Sequence, residues 1–301
     1  MSPIRHLETI GELHQLLGAP AQHPLLAVVD FARYEQQFSA GVRLTLGFYA
    51  VMFKNYCVNG VKYGQQPYDF QDGSLICIAP QQLITLDEPT GRPDEVRGWG
   101  LFFHPDLVRG TSLGRKMKDY SFFGYHTSEA LHLADKEKQT LGSLVERLQA
   151  ELADTIDQHS RTLLTSTIEL LLNYCTRYYD RQFITRHHAQ TGLLAQVEEV
   201  LTAYFQQPDL AAQGLPTVKY LADQVCLSPD YLSDLLRRET GMSAQERIHY
   251  HLLEEAKNQL LSTDKSVGEL AYALGFDYPQ YFSRLFKAKT GLTPLEFRNL
   301  N

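Results

Sequence analysis

Long apolar runs are missing from this 301-residue chain. None reaches the roughly 18 residues that a membrane-crossing helix needs. The opening residues, Met1-Ser-Pro-Ile-Arg-His6, lack the basic start and apolar stretch of a secretion signal. Cysteine is scarce as well. Cys57, Cys77, Cys175 and Cys226 are far apart and form no Cys-x-x-Cys pair, which argues against a zinc site and for a reduced, cytoplasmic setting. Histidine is absent from Val42 to Gly100. Gly-x-Ser-x-Gly, a phosphate-binding glycine loop and His-Glu-x-x-His do not occur. Net positive charge is lacking too: at −7, the chain does not read as one that coats nucleic acid indiscriminately. What is present is a globular composition, 44% hydrophobic and 21% charged, in a chain long enough for two separate cores.

The most informative stretch runs from Thr217 to Arg298, because it says nearly the same thing twice. Val218, Leu221 and Ala222 match Val267, Leu270 and Ala271 at an offset of 49. Tyr231, Ser233, Thr240 and Gly241 match Tyr281, Ser283, Thr290 and Gly291 at an offset of 50, so the second copy has one extra residue in its turn. Each copy reads as a short amphipathic helix, a tight turn and a longer helix closed by Thr-Gly, the one-dimensional form of a helix-turn-helix. Ser228 is the predicted N-cap of the first long helix, with Pro229 at its first position. Asp277 is the predicted N-cap of the second, with Gln280 at capping-box spacing. Gly241 and Gly291 supply the left-handed residue that ends each helix.

Periodicity predicts that Tyr231, Leu232, Leu235 and Leu236 bury one face of the first long helix, and Tyr281, Phe282, Leu285 and Phe286 one face of the second. Asp230, Ser233, Asp234 and Arg237 then face outward in one copy, and Pro279, Gln280, Ser283, Arg284 and Lys287 in the other. Between the copies, Ser243 to Ser262 has no Gly or Pro and opens with a Ser243-x-x-Glu246 capping box. Twenty helical residues give a rod of about 30 Å. One turn of B-DNA is about 34 Å, so the spacing suits two recognition helices in successive major grooves. The repeat region itself holds more Asp and Glu than Lys and Arg. The bases Arg237, Arg238, Arg284, Lys287, Lys289 and Arg298 nonetheless fall on or just after the long helices, while Glu198, Glu199, Glu254 and Glu255 lie elsewhere. A local positive edge on an acidic body is expected.

The runs Ala256-Lys-Asn-Gln-Leu-Leu261, Val267-Gly-Glu-Leu-Ala271, Gly275-Phe276, Tyr281-Phe-Ser-Arg-Leu-Phe-Lys287, Thr290-Gly291 and Thr293-Pro-Leu-Glu-Phe-Arg298 resemble the AraC-type family of bacterial transcription regulators over about the last third of the chain. That resemblance implies two helix-turn-helix units joined by one long helix. It places recognition positions at Asp230, Ser233 and Asp234, and at Pro279, Gln280, Ser283 and Arg284. By side-chain chemistry, Arg284 suits guanine and Gln280 adenine, whereas Lys287 and Arg237 suit phosphates; Arg238 is a further DNA-binding candidate. Asp230 and Asp234 are poor neighbours for phosphates, so the second unit is expected to carry more base discrimination. An Asp234–Arg238 pair is an alternative at i+4 spacing. Cys226 stands where the second copy has Gly275.

The first half changes character. Leu25–Val29, Val42–Phe53, Ser74–Ala79 and Trp99–Phe103 read as strands, with turn signals at Asn59-Gly60 and Asp72-Gly73. Many short strands suggest a small barrel or jelly roll, and the resemblance implies a cupin-like β-barrel with Phe103-His-Pro-Asp-Leu107 as its exit. Lys136–Asp154 and Arg161–Phe183 have helical period, with Leu141, Leu144, Val145, Leu148 and Leu152 on one stripe and Leu164, Ile168, Leu171, Leu172 and Cys175 on the other. Such a hairpin is a common dimerisation element in the family; packing onto the barrel is the alternative. The expected organisation is an α+β multidomain chain: residues 1–183 as cupin-like sensor and dimerisation domain, 184–191 as linker, and 192–301 as an all-α DNA-binding domain with tandem helix-turn-helix units.

Enzyme chemistry finds little support. With no histidine between Val42 and Gly100, a metal-dependent cupin enzyme lacks its usual ligands. His249 and His251 are two apart on a helix and point in different directions. His187 and His188 fall in the linker, and His104 precedes Pro105 in a capping or packing position. Phe48, Tyr49, Phe53, Tyr56, Tyr63, Tyr68 and Phe70 could line a pocket, but filling a small barrel accounts for most of them. The sequence therefore reads as a cytoplasmic transcription activator or repressor that binds double-stranded DNA, with no cofactor, metal or membrane implied. A homodimer is expected, and RNA polymerase and a small-molecule effector of unknown identity are candidate partners. The competing readings are a metal-dependent cupin enzyme fused to a helical domain and a module that binds only protein.

Overall fold

The computed structural model describes residues 4–33, 42–54, 62–63, 66–67, 73–86, 97–186, 192–207 and 210–300. The chain divides into two compact units, Met1–Arg186 and His187–Asn301.

In the first unit, β1 (Ile4–Leu7) leads through a Thr9–Glu12 capping box into α1 (Ile10–Leu17), which Gly18 ends at φ 64°. The strands that follow are β2 (Leu26–Asp30), β3 (Val42–Leu46), β4 (Tyr49–Lys54), β5 (Lys62–Tyr63), β6 (Gln66–Pro67), β7 (Ser74–Ile78), β8 (Ile84–Leu86), β9 (Gly98–Phe103) and β10 (Leu131–His132). They form a three-stranded sheet ordered β1-β3-β8, a five-stranded sheet ordered β10-β7-β4-β9-β2, and a β5-β6 ribbon. Apart from the parallel pairing of β1 with β3, the pairings are antiparallel. Among the described residues these sheets do not close into a barrel. They share one core instead: Leu44 and Leu46 from one sheet and Ala27, Val29, Ala50, Ile78 and Phe102 from the other pack with Ile10, Leu13 and Leu16 of α1.

The opposite face of the larger sheet is covered by aromatic residues. Tyr49 stacks on Phe103 at 5.1 Å and meets Phe123 edge-on at 5.0 Å, and Phe122 stacks on Tyr179 at 5.5 Å. Burial on both faces explains why β9 reads as an unbroken apolar run rather than an alternation. Phe48 is wholly buried and edge-on to Phe102, and Phe53 lies beside Trp99, so these aromatics fill the fold. Tyr56, Tyr68, Phe70 and the Asn59-Gly60 turn lie outside the described residues, as does the side chain of Tyr63.

After β9, His104 caps α2 (Pro105–Val108), its Nδ1 accepting from the Asp106 N–H at 3.2 Å. A short helix α3 (Ser112–Lys116) follows, and then the hairpin of α4 (Asp135–Ala153) and α5 (Ser160–Arg186). Both expected apolar stripes are buried apart from Leu144, which is half-buried. Arg181 ties α5 to α4 through Glu137 at 2.8 Å. Helix α5 continues through Ile184, Thr185 and Arg186, three residues into the segment expected to be linker.

The second unit is all helical: α6 (Leu193–Phe205), α7 (Leu210–Gln213), α8 (Val218–Gln224), α9 (Pro229–Thr240), α10 (Ala244–Ser262), α11 (Val267–Ala273), α12 (Pro279–Thr290) and α13 (Pro294–Leu300). Helix α10 begins at the expected Ser243–Glu246 capping box. Its residues Leu252, Leu253, Ala256 and Leu260 join Leu270, Ala271, Leu274, Phe282 and Phe286 in one core. Deleting a buried phenylalanine from such a core costs about 3–5 kcal/mol.

Candidate nucleic-acid interface

Helices α8 and α9 make the first head. Thr217 caps α8, accepting from the Tyr220 N–H at 3.0 Å. The turn passes through Cys226 at φ 56°, a left-handed conformation uncommon for a residue with a Cβ. Ser228 then caps α9 as expected, its Oγ accepting from the Tyr231 N–H at 3.3 Å, with Pro229 in the first turn. Gly241 ends the helix at φ 74°. Tyr231, Leu232, Leu235 and Leu236 are all buried, which turns Asp230, Arg237 and Arg238 outward and leaves Ser233 and Asp234 half-buried. The Arg237 guanidinium donates to Asp234 at 3.1 Å, an ion pair at i+3 spacing. Partial burial first, and the Asp234 charge second, raise the Asp230 carboxyl above its ordinary range.

Helices α11 and α12 make the second head, and it departs from expectation twice. Its N-cap is Tyr278, whose side chain makes no capping bond, and not Asp277. The extra residue of this copy falls between Phe276 and Pro279, so proline still opens the helix but the capping side chain is displaced outward. Tyr281 is 50% exposed, whereas its counterpart Tyr231 is wholly buried. The reason is the row Phe276, Phe282, Phe286 and Phe297, with ring centroids 5.4–5.7 Å apart, which fills this core without Tyr281. Tyr281 lies beneath the Arg284 guanidinium at 5.2 Å and edge-on to Tyr278 at 5.7 Å. Gln280, Arg284 and Lys287 are exposed, with Pro279 and Ser283 half-buried. Sequence reasoning missed the Tyr281 platform, although its i,i+3 spacing to Arg284 was a usable signal.

Other charged groups define how the heads sit on α10. The Glu246 carboxyl is held below its ordinary range first by the Ser243 N–H and then by its hydroxyl, and the charges of Lys289 and Arg237 add to this. Burial first, then the charge of Lys289, lowers the pKa of His249 against an opposing pull from Glu246. His251 is bonded to Glu198 of α6, and Arg247 reaches the same carboxylate at 2.7 Å, so the two histidines serve different neighbours. Arg298, expected on the positive edge, instead donates to the Leu260 carbonyl near the end of α10 at 2.9 Å. Among the described residues no group of three or more His, Cys, Asp or Glu could hold a metal ion, and no helix is long and apolar enough to cross a membrane.

With this geometry in view, the comparisons with known proteins are specific. A family model for a helix-turn-helix domain matches residues 221–300. YfiF of Bacillus subtilis (strain 168), an uncharacterized HTH-type transcriptional regulator, is 31% identical over 248 residues, covering 81% of this chain and 76% of that protein. The chain belongs to the AraC-type family of transcription regulators. YesN of the same organism, an uncharacterized transcriptional regulatory protein, is 45% identical over 78 residues, 25% of this chain. Four AraC-type and related relatives, YesN among them, are spanned over only 21–58% of their own length. The solved C-terminal domain of AraT, a response regulator from Geobacillus stearothermophilus, is 28% identical and matches 36% of this chain and 85% of that one at a TM-score of 0.32.

Proposed function

We propose that this AraC-type chain is a sequence-specific regulator of transcription that binds double-stranded DNA through both heads. The observation that carries the reading is the duplicated construction of the second unit: each long helix opens with a proline, ends at a left-handed glycine, buries one face, and among the described residues leaves polar side chains exposed on another. On these faces Arg284 and Gln280 read bases, Ser233, Ser283 and Pro279 line the approach, and Arg237, Arg238 and Lys287 meet phosphates. Asp230 and Asp234 limit the first head. The heads enter successive major grooves. The first unit is a cupin-like sensor for a small molecule, and RNA polymerase is the machinery that the regulator addresses. A homodimer forms along α5, whose outward face exposes Leu163, Leu170 and Ile184 at heptad spacing.

The test is selection of duplexes from a random library by the full-length chain, followed by Arg284→Ala. Loss of a bidentate base contact is worth about 1–3 kcal/mol, so binding should fall by roughly 5-fold to 150-fold and preference should relax at one base pair. Undiminished, equally selective binding by R284A would overturn the role of Arg284. Failure of the wild type to enrich any duplex would overturn the function.

A further inference from the structure

We propose that Tyr204, Phe205, Gly214 and Leu215 form a strap that fixes the second head against the first, and that Gly275 is glycine in order to admit it. The inference rests on the reading of the second unit as a two-headed DNA reader, and it concerns residues outside both recognition helices.

The strap begins on the first head's side. Helix α6 packs on α8 and α10, and Tyr204 near its end meets Tyr220 of α8 edge-on at 5.0 Å. The next residues reach the other head. Phe205 and Leu215 pack against the core that α10, α11 and α12 share, and α7 contacts α11. Between these anchors the Tyr204 hydroxyl donates to the Gly214 carbonyl at 3.1 Å. The peptide held this way lies directly against the turn of the second head. A Cβ on Gly275 would sit 2.8 Å from the Gly214 carbonyl carbon and 2.9 Å from its oxygen, which is backbone and cannot swing aside.

The first head supplies an internal control. Cys226 occupies the same place in its turn as Gly275 and takes up φ 56° with a side chain attached, while Gly275 has φ 87°. A left-handed turn can thus carry a Cβ at φ 56°, whereas φ 87° is itself a conformation that side chains rarely adopt. Gly275 has in addition a close backbone neighbour, and that neighbour belongs to the strap. Two heads held at a fixed relative orientation gain affinity by acting as one ligand, and a loosened mount forfeits part of that gain.

Gly275→Ala, Tyr204→Phe and Cys226→Ala in the full-length chain test this. On a duplex selected by the wild type, G275A should bind about tenfold more weakly. It should also lose the wild-type penalty for a base pair inserted between the two half-sites, while binding to an isolated half-site persists. Y204F should move in the same direction by less, and C226A should behave as wild type. If G275A fails to fold, Y204F decides alone. Hydrogen exchange on the DNA-free chain gives an independent reading: G275A and Y204F should speed exchange at residues 210–216 and 274–276 and leave 226–230 unchanged. Retention of the wild-type spacing penalty by both variants, or unchanged exchange at 210–216 in both, overturns the strap. A wild type that selects no duplex sinks the DNA reading instead, and the exchange result then judges the strap by itself.

Discussion

Asp234→Asn separates two roles that the first head could give its acidic residues. In the free protein Asp234 holds the Arg237 guanidinium at 3.1 Å, with the aspartate 18% and the arginine 58% exposed. An ion pair this open contributes no more than about 0.5 kcal/mol to folding, so the substitution should leave the melting transition almost unmoved. Its effect on binding should be larger. Asparagine keeps the shape, removes a negative charge from the outward face, and releases the guanidinium to a phosphate. One added phosphate contact steepens the dependence of log K on log salt by about 0.9, and over the fourfold range from 50 to 200 mM that is an extra factor of about 3.5. Anisotropy titrations of the full-length chain across that range should show D234N binding more tightly at the low end and falling more steeply. An unchanged slope would mean that Arg237 already reaches a phosphate with Asp234 in place. A weaker complex with lost preference at a C·G pair would mean that Asp234 accepts from a cytosine amine, and would refute the inhibitory role.

The caps of the two heads make a paired prediction. Ser228→Ala should cost the second unit about 1 kcal/mol in urea unfolding, whereas Asp277→Ala should cost almost nothing, because α12 starts beyond it. An equal loss from both would contradict the N-cap assignment. Acid should act through the capping-box carboxylates. Hydrogen bonds from Ser243, Ser266 and Thr293 hold Glu246, Glu269 and Glu296 below the ordinary value of 4.5. Folded values lower than unfolded ones mean that their stabilisation is complete above about pH 4.5 and is lost as pH falls through the lowered values. Glu269→Gln should flatten the acid limb of the unfolding midpoint against pH, and a limb of unchanged slope would show that the caps do not set it.

Much of the second unit could be read from the chain because its signals are local. Ser228-Pro229, Ser243-x-x-Glu246, Gly241 and Gly291 each act within a turn of helix, so the residues that decide the geometry are adjacent in sequence. Tyr281 escaped because periodicity reports which positions share a face and not how wide the buried stripe is. Four phenylalanines narrowed it. The strap was out of reach for a different reason: Gly214 and Gly275 are far apart in sequence, and α7 is too short for a period. In the first unit the central strands were legible as apolar runs. The parallel pairing of β1 with β3 depends on a contact between distant segments, and α1 went unread although Thr9-x-x-Glu12 marks its start.

The two copies also bear on how a two-headed reader divides its work. Each buries one face of its long helix, though with different side chains, so the outward faces are free to diverge without cost to the core. In the first head the outward face carries two carboxylates, one of which engages the arginine that would otherwise meet a phosphate. In the second the arginine rests on an aromatic ring that the core has no room for. A guanidinium seated on a ring is partly ordered before it meets a base, so less side-chain freedom is lost on contact. The opposite holds for Arg237, which must first leave Asp234. An acidic, self-paired head and a basic, pre-ordered head mounted on one helix give unequal contributions by construction. On the proposed reading, the second discriminates between sequences and the first sets how strongly the complex depends on salt.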